Sequence, residues 1–222
     1  MDDNHGKFPG THVIEPDTKQ RKETRATLGG FDPVPEQLAC FPTAVSRPLY
    51  GYLKPSELYR CPVDKGQVVY YCNQCAPSLL QPSNWKTVGC SYHYNAGALT
   101  VPSGGGFKEP PEDRANGLAE KNEGWVPSPD RYILLHEPSA RLYGYNCVQA
   151  LWYQWHFRRG PWIIEDPRLA RQDFISPVLF VDGHVAQCNF SKSLSTDIYY
   201  PYEPTKDWIW YKPKPVQSTS RN

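Results

Sequence analysis

Apolar positions are densest near the C-terminal end of the chain, where Phe174-Ile175-Ser176-Pro177-Val178-Leu179-Phe180-Val181 and Val185-Ala186-Gln187-Cys188 flank Asp182-Gly183-His184. Two β-branched or aromatic runs around Asp-Gly predict a hairpin spanning residues 178–190. A two-residue type I′ turn needs φ > 0 at both central positions, which Asp tolerates and Gly adopts freely. With Asp182 and Gly183 as that turn, Val181 is expected opposite His184, Phe180 opposite Val185, Leu179 opposite Ala186 and Val178 opposite Gln187. Leu179, Val181, His184, Ala186 and Cys188 would then share one face. The first strand is apolar on both faces and the second mixes in Gln187 and Asn189, which places the first in a sheet interior and the second nearer its edge.

Other segments are shorter. Residues 67–72 (Gln-Val-Val-Tyr-Tyr-Cys) and 88–94 (Val-Gly-Cys-Ser-Tyr-His-Tyr) have strand content. Residues 131–137 form an apolar strand ending in His136-Glu137, where a loop begins. Residues 55–60 predict one helical turn, with Ser56 as cap. Residues 147–156 fit either a strand or a helix, and the aromatic tail at 207–211 should pack Trp208 or Trp210 onto the body. Residues 1–36 predict an irregular lead-in whose charged run, Lys19 to Arg25, is a solvated loop; residues 37–222 form a single globular domain.

Composition sharpens this picture. The chain's 23 Pro, 16 Gly and 14% aromatic residues describe a turn-rich body. The expected class is α+β, a mainly antiparallel β-sheet with few short helices. A net charge of +1 from 24 basic and 23 acidic residues offers no field for nucleic acid or anionic lipid. The first thirty residues hold no apolar stretch resembling a signal peptide or a membrane span. The run Ser103-Gly104-Gly105-Gly106 lacks the Lys-Ser/Thr of a phosphate-binding loop.

Candidate chemistry centres on seven cysteines, an odd count that leaves at least one thiol outside intramolecular pairing. Cys61, Cys72, Cys75 and Cys90 could hold a structural zinc, since tetrahedral zinc takes four thiolates and Cys72-Asn73-Gln74-Cys75 supplies a close pair. The same residues could instead form bridges, Cys61 to Cys72 and Cys75 to Cys90. A second set, His136, Glu137, His156, Asp182 and His184, contains the ligand types of a zinc-dependent hydrolase. It has no His-x-x-x-His spacing, and Asp182 and Gly183 already have a sufficient task as the turn. No nucleophile elbow or dinucleotide fingerprint occurs. Trp125, Trp152, Trp155, Trp162, Trp208 and Trp210 supply flat rings that an extracellular carbohydrate-binding module would use, or a core.

Arg171-Gln172, followed after nine residues by Asp182-Gly183-His184-Val185, resembles the C-terminal signature of prepilin-type proteins named for a His nine residues before Asp-Gly. Asp2-Asp3-Asn4-His5-Gly6-Lys7-Phe8-Pro9 is similar to the segment following the pilin helix in that family. Tyr59-Arg60-Cys61-Pro62-Val63-Asp64 resembles its Arg-Cys-Pro-x-Asp element, Ser91-Tyr92-His93-Tyr94-Asn95 its Ser-Tyr-x-x-Asn strand, and Tyr132 to Glu137 the strand that ends in Glu. The family His is Gln172 here, so no role of that imidazole carries over, whereas Asp182 and Gly183 carry over as turn residues. The family's prepilin-peptidase site and apolar helix do not appear, and Met1 is expected to be an internal Met or a trimmed boundary.

The resemblance implies a pseudopilin-like globular head without enzymatic activity, carried on a membrane-inserted helix. Its implied partners are other pseudopilin subunits or components of a type II secretion or type IV pilus-like system in the cell envelope. Some such heads bind calcium through loop carboxylates; here the acidic residues at 109–113 could do so, although a solvated loop is the preferred reading of them. No cofactor follows with certainty; structural zinc and calcium are the two considered.

Overall fold

The computed structural model describes residues 6–53, 56–66, 83–97, 101–103, 106–108, 117–140, 152–156, 163–164, 174–196 and 205–211. Its strands are β1 (His12–Ile14), β2 (Arg21–Glu23), β3 (His93–Tyr94), β4 (Val101–Ser103), β5 (Gly106–Lys108), β6 (Ile133–His136), β7 (Trp152–Tyr153), β8 (Ile163–Ile164), β9 (Ile175–Phe180) and β10 (Val185–Asn189). Two short α-helices accompany them among the described residues, α1 (Asn84–Val88) and α2 (Ser191–Thr196). The protein is mainly antiparallel β within an α+β fold. A four-stranded sheet runs β10-β9-β6-β3, and β1-β2, β4-β5 and β7-β8 form separate ribbons. As the patterning predicts, β9 is interior and β10 lies at the edge.

The hairpin register differs from the two-residue turn. Val185 pairs with Leu179, Ala186 with Val178 and Cys188 with Ser176. Phe180 N–H donates to His184 O at 2.9 Å and Gly183 N–H to Phe180 O at 3.0 Å. The loop is therefore Val181-Asp182-Gly183, with Gly183 alone of the three at positive φ, +94°. Such a loop is a turn closed by a left-handed glycine, one residue longer than a type I′ connection. The reason is tertiary: Val181 N–H donates to Tyr132 O and Asp182 N–H to Pro129 O, extending the β6 side of the ladder into the loop.

One residue of slip exchanges faces. Ser176, Val178 and Phe180 join Ala186 and Cys188 on the buried side, and Leu179 turns away with Val185. The buried face holds Ile133, Phe174, Val178, Phe180, Phe190 and Leu194 against Trp208, Trp210 and Tyr211. Each large apolar side chain buried there contributes about 1.5–3 kcal/mol. Both tail tryptophans are buried, and Asn95 anchors their segment, its Nδ2 donating to Ile133 O and Trp210 O, each at 2.9 Å.

The N-terminal region is more ordered than an irregular lead-in. β1 and β2 form a hairpin within it, and Lys22 and Glu23 are buried at 3% and 5% exposure. Neither is solvated as expected, because each is compensated locally. Lys22 Nζ donates to Gln20 Oε1, Leu38 O and Ala39 O, while Glu23 takes Arg25 in a two-oxygen pair at 2.6 and 2.7 Å. A run of charges can close a fold where carbonyls and counter-charges await it.

The strand expected over residues 88–94 shrinks to β3, because Val88 ends a helix. Ser83 Oγ accepts from Lys86 N–H, and Gly89 caps the other end in the left-handed conformation at φ +82°. Asp64 reinforces this start: Oδ1 accepts from Gly66 N–H and Asn84 N–H, and Oδ2 from Trp85 N–H at 2.8 Å and Ser91 Oγ at 2.6 Å. Arg47 ties the far end, donating to Val88 O, Gly29 O and Pro42 O; burial pulls its guanidinium down to about 10. Gly89 and Gly30 cross at backbone distance, and a Cβ on Gly89 would stand 1.9 Å from Phe31 O. The expected turn near residue 56 is a 3-10 helix, Ser56–Tyr59. The expected strand at 67–72 lies outside the described residues.

Two stability measurements check these assignments. Gly183→Ala meets no atom within 4 Å, so it should cost only the left-handed backbone term, about 1–2 kcal/mol; Gly89→Ala, blocked by backbone, should cost more than twice that in urea denaturation. Equal midpoints for the two would show that the crossing of Gly30 and Gly89 is not tight. Asp64→Asn should lose about 3 kcal/mol, lowering Tm by roughly 6–12 °C, since it turns an amide NH₂ toward donors. A loss under about 1 kcal/mol would mean the loop holds its shape without the carboxylate.

Candidate functional site

The second face of the sheet carries an apolar groove of about 490 Å³. A bulge in β6 creates part of it: pairing shifts between Ile133 opposite Phe180 and Leu135 opposite Leu179, so the successive Leu134 and Leu135 both line the groove. Leu179 and Val185 come from the hairpin, turned there by the three-residue loop. Phe8 and Leu49 contribute from the N-terminal region, and Leu53, Leu58 and Val185 stand on it at 44%, 58% and 65% exposure. Its polar atoms are few. Tyr94 OH donates to Pro9 O at 3.1 Å, and burial raises the Tyr59 hydroxyl to about 12, so both rings stay neutral.

A convergence of Cys61, Glu137 and His156 lies apart from the groove lining. His156 Nε2 is 2.7 Å from Glu137 Oε2 and 3.7 Å from Cys61 Sγ. The three ligand atoms lie within 4.8 Å of one another. Glu137 is fully buried and Cys61 is 4% exposed, whereas the His156 side chain keeps 18%. Cys61 is fixed by its backbone N–H, which donates to the Ser91 hydroxyl that in turn serves Asp64. Glu137 directly follows β6, and His156 follows β7, whose segment is held by Trp155 Nε1 donating to Gly66 O at 3.1 Å. Burial, together with the Glu137 charge and its hydrogen bond, pushes the Cys61 thiol well above the usual range.

The sequence-predicted sites are thus redistributed. Cys61 and Cys90 are free and buried, so the bridges Cys61–Cys72 and Cys75–Cys90 are not formed. Cys90 Sγ donates to Tyr92 O, while Cys72 and Cys75 lie outside the described residues, as do Arg171, Gln172 and the acidic residues at 109–113. The histidine set splits. His136 is buried edge-on to Trp210, with ring centroids 4.7 Å apart, and its Nδ1 meets Glu137 O at 2.8 Å. His184 is exposed at the hairpin tip, stacked on Phe180, with Nδ1 2.7 Å from Asp182 Oδ1. Hydrogen bonds from His184 hold the exposed Asp182 carboxyl below the ordinary range. The set thus falls into an exposed Asp182–His184 pair at the hairpin tip and a Glu137–His156 pair, and the latter meets a cysteine from the other set.

The carbohydrate reading loses rings in the same way. Trp155, Trp208 and Trp210 are buried at 4%, 4% and 0% exposure; Trp125 packs against Tyr132. The Trp162 position and the Trp152 side chain lie outside the described residues. Sequence reasoning named Asp64 and Asn95 as members of family elements without seeing what they bond, and it missed Arg47. The signal for the Asp64 bonds was present in Ser83 and Gly89, which bracket a five-residue helix whose start needs an acceptor.

A scan of protein-family models finds no match to the chain, and neither the curated proteins nor the solved structures searched contain one. No helix among the described residues is long and apolar enough to cross a membrane.

The buried thiols give a pH dependence. Burial raises both Cys90 and Cys188 to about 11, whereas an unfolded thiol titrates near about 8.5. Between those values the unfolded chain releases protons that the folded one keeps, so stability should fall as pH rises from about 8.5 toward 11. Urea midpoints of the reduced protein should decline over that window, and Cys188→Ala should flatten part of the slope. An unaltered slope in that variant would show that Cys188 ionises freely in the fold.

Proposed function

We propose that this domain is the non-enzymatic head of a pseudopilin-like structural protein, and that its groove seats an apolar helix. The groove is the observation that carries the reading. A sheet with one face sealed by aromatic side chains, whose other face carries among the described residues a leucine-lined groove beside a second buried cluster, has a surface suited to an amphipathic or apolar helix. Phe8 and Pro9 line that groove, so chain running into them arrives at its mouth.

The residues of the family resemblance support the same reading by what they do. Asp64 and Ser91 fix the loop around Cys61, Asn95 anchors the aromatic tail, and Asp182-Gly183 turn the hairpin. All are framework tasks. Under this reading the partners are like subunits or secretion-system components, joined through helices in the cell envelope, and the membrane is reached through an apolar helix upstream of Met1.

The mature N-terminal peptide, identified by mass spectrometry on the protein from its own cells, tests this. An apolar run of about 20 residues leading into Met1 is the expected result. A mature chain beginning at Met1 itself would overturn the reading, because no filament helix would remain to fill the groove.

A further inference from the structure

We propose that Cys61, Glu137 and His156 bind zinc through three protein ligands, with a fourth position left for water or a substrate atom. This assignment is independent of the pseudopilin reading. It differs from a four-cysteine site and from a three-histidine site, since it takes one ligand from the first expected set and two from the second.

The geometry distinguishes this arrangement from a nucleophile relay. In a Cys-His-carboxylate relay the nucleophile and the carboxylate occupy opposite ring nitrogens of the histidine. Here Sγ and Oε2 both approach Nε2, at 3.7 and 2.7 Å. Three different donors aimed at one point describe a coordination sphere. Tetrahedral zinc with bonds of about 2.3 Å to sulfur and 2.0–2.2 Å to nitrogen and oxygen sets S···N near 3.6 Å and N···O near 3.4 Å. The sulfur to nitrogen separation already fits. The nitrogen to oxygen pair must open by about 0.7 Å, which replaces a hydrogen bond by two metal bonds.

A second observation points into the same place. Among the described residues Glu137 Oε1 is buried without a hydrogen-bond partner, although its carboxylate is fully enclosed. An enclosed carboxylate oxygen costs free energy unless something positive or donating meets it. Zinc supplies that partner. One thiolate, one carboxylate and a neutral imidazole balance the two positive charges of the ion, so the buried site carries no net charge. The choice of zinc follows from the donor set, because a soft sulfur beside imidazole and carboxylate suits it better than magnesium or calcium.

The ligands are also held before any metal arrives. Cys61 is fixed through Ser91 and Asp64, Glu137 by the end of β6, and His156 by the Trp155 bond to Gly66 O. Tyr153 and Trp155 pack with Cys61 in one buried cluster, with Val63 and Tyr92 against it. Among the three ligands His156 has the most exposure, 18% of its side chain, so solvent reaches the cluster from the imidazole. Three protein ligands leave the fourth tetrahedral position to water or to an external ligand atom, whereas closed four-ligand sites take all four donors from the protein.

Chain freed of metal with a chelator, dialysed against micromolar zinc and then against metal-free buffer, should retain one zinc per chain by elemental analysis. Cobalt(II) added in place of zinc should give a near-ultraviolet thiolate band that Cys61→Ser abolishes. His156→Ala should weaken zinc binding beyond the about 10–100-fold typical of losing an outer-shell partner; Glu137→Gln should do the same if it folds. His156 is partly exposed, so its variant carries the test where the glutamate variant fails, with circular dichroism confirming the fold. Zinc retained equally by wild type and His156→Ala, a thiolate band surviving Cys61→Ser, or no retained zinc at all would each overturn the site. Any of these outcomes leaves the mature N-terminus, and with it the filament reading, unaffected.

Discussion

Asp64 accepts four hydrogen bonds, from Gly66 N–H, Asn84 N–H, Trp85 N–H and the Ser91 hydroxyl, and the surrounding architecture depends on it. The described strands are short, two to six residues, and the two α-helices run five and six. Most loop backbone therefore lacks a ladder to satisfy it, yet buried N–H and C=O groups must still be paired. Among the described residues, backbone bonds between loops share that work with buried polar side chains. Arg47 serves three carbonyls, Asn95 two, Lys22 two, and Glu15 accepts from Thr43 N–H and Ser46 Oγ. A turn-rich chain pins its loops with buried polar side chains where a more regular fold would use repeated backbone bonds.

The same economy explains where candidate function resides. The sheet packs one face into the aromatic core and carries on the other a second buried cluster and an apolar groove, while the polar framework gathers Cys61, Glu137 and His156 next to Tyr92. The groove suits a helix, the basis of the filament-head reading; the cluster suits a metal ion. They share neighbours without sharing atoms: Tyr92 lines the groove and packs with the Cys61 cluster, and Leu135 and Glu137 are two residues apart at the end of β6.

Sequence alone determined what depends on local pattern: the antiparallel class, the hairpin and its edge strand, the strand at Ile133–His136 and the packing of the aromatic tail. Those follow from alternation, β-branching and Asp-Gly, which act over a few residues. What it could not determine depends on partners distant in the chain. The hairpin loop gained a residue because Tyr132 O and Pro129 O capture the N–H groups of Val181 and Asp182. Lys22 and Glu23 could be buried because carbonyls at residues 38 and 39 and the Arg25 guanidinium meet them. Residues 61, 137 and 156 form one site because the loop pinned by Asp64 meets the ends of β6 and β7. No spacing encodes that meeting, since convergence in space carries no period in the sequence; only the closed tertiary structure decides which distant side chains arrive at the same point.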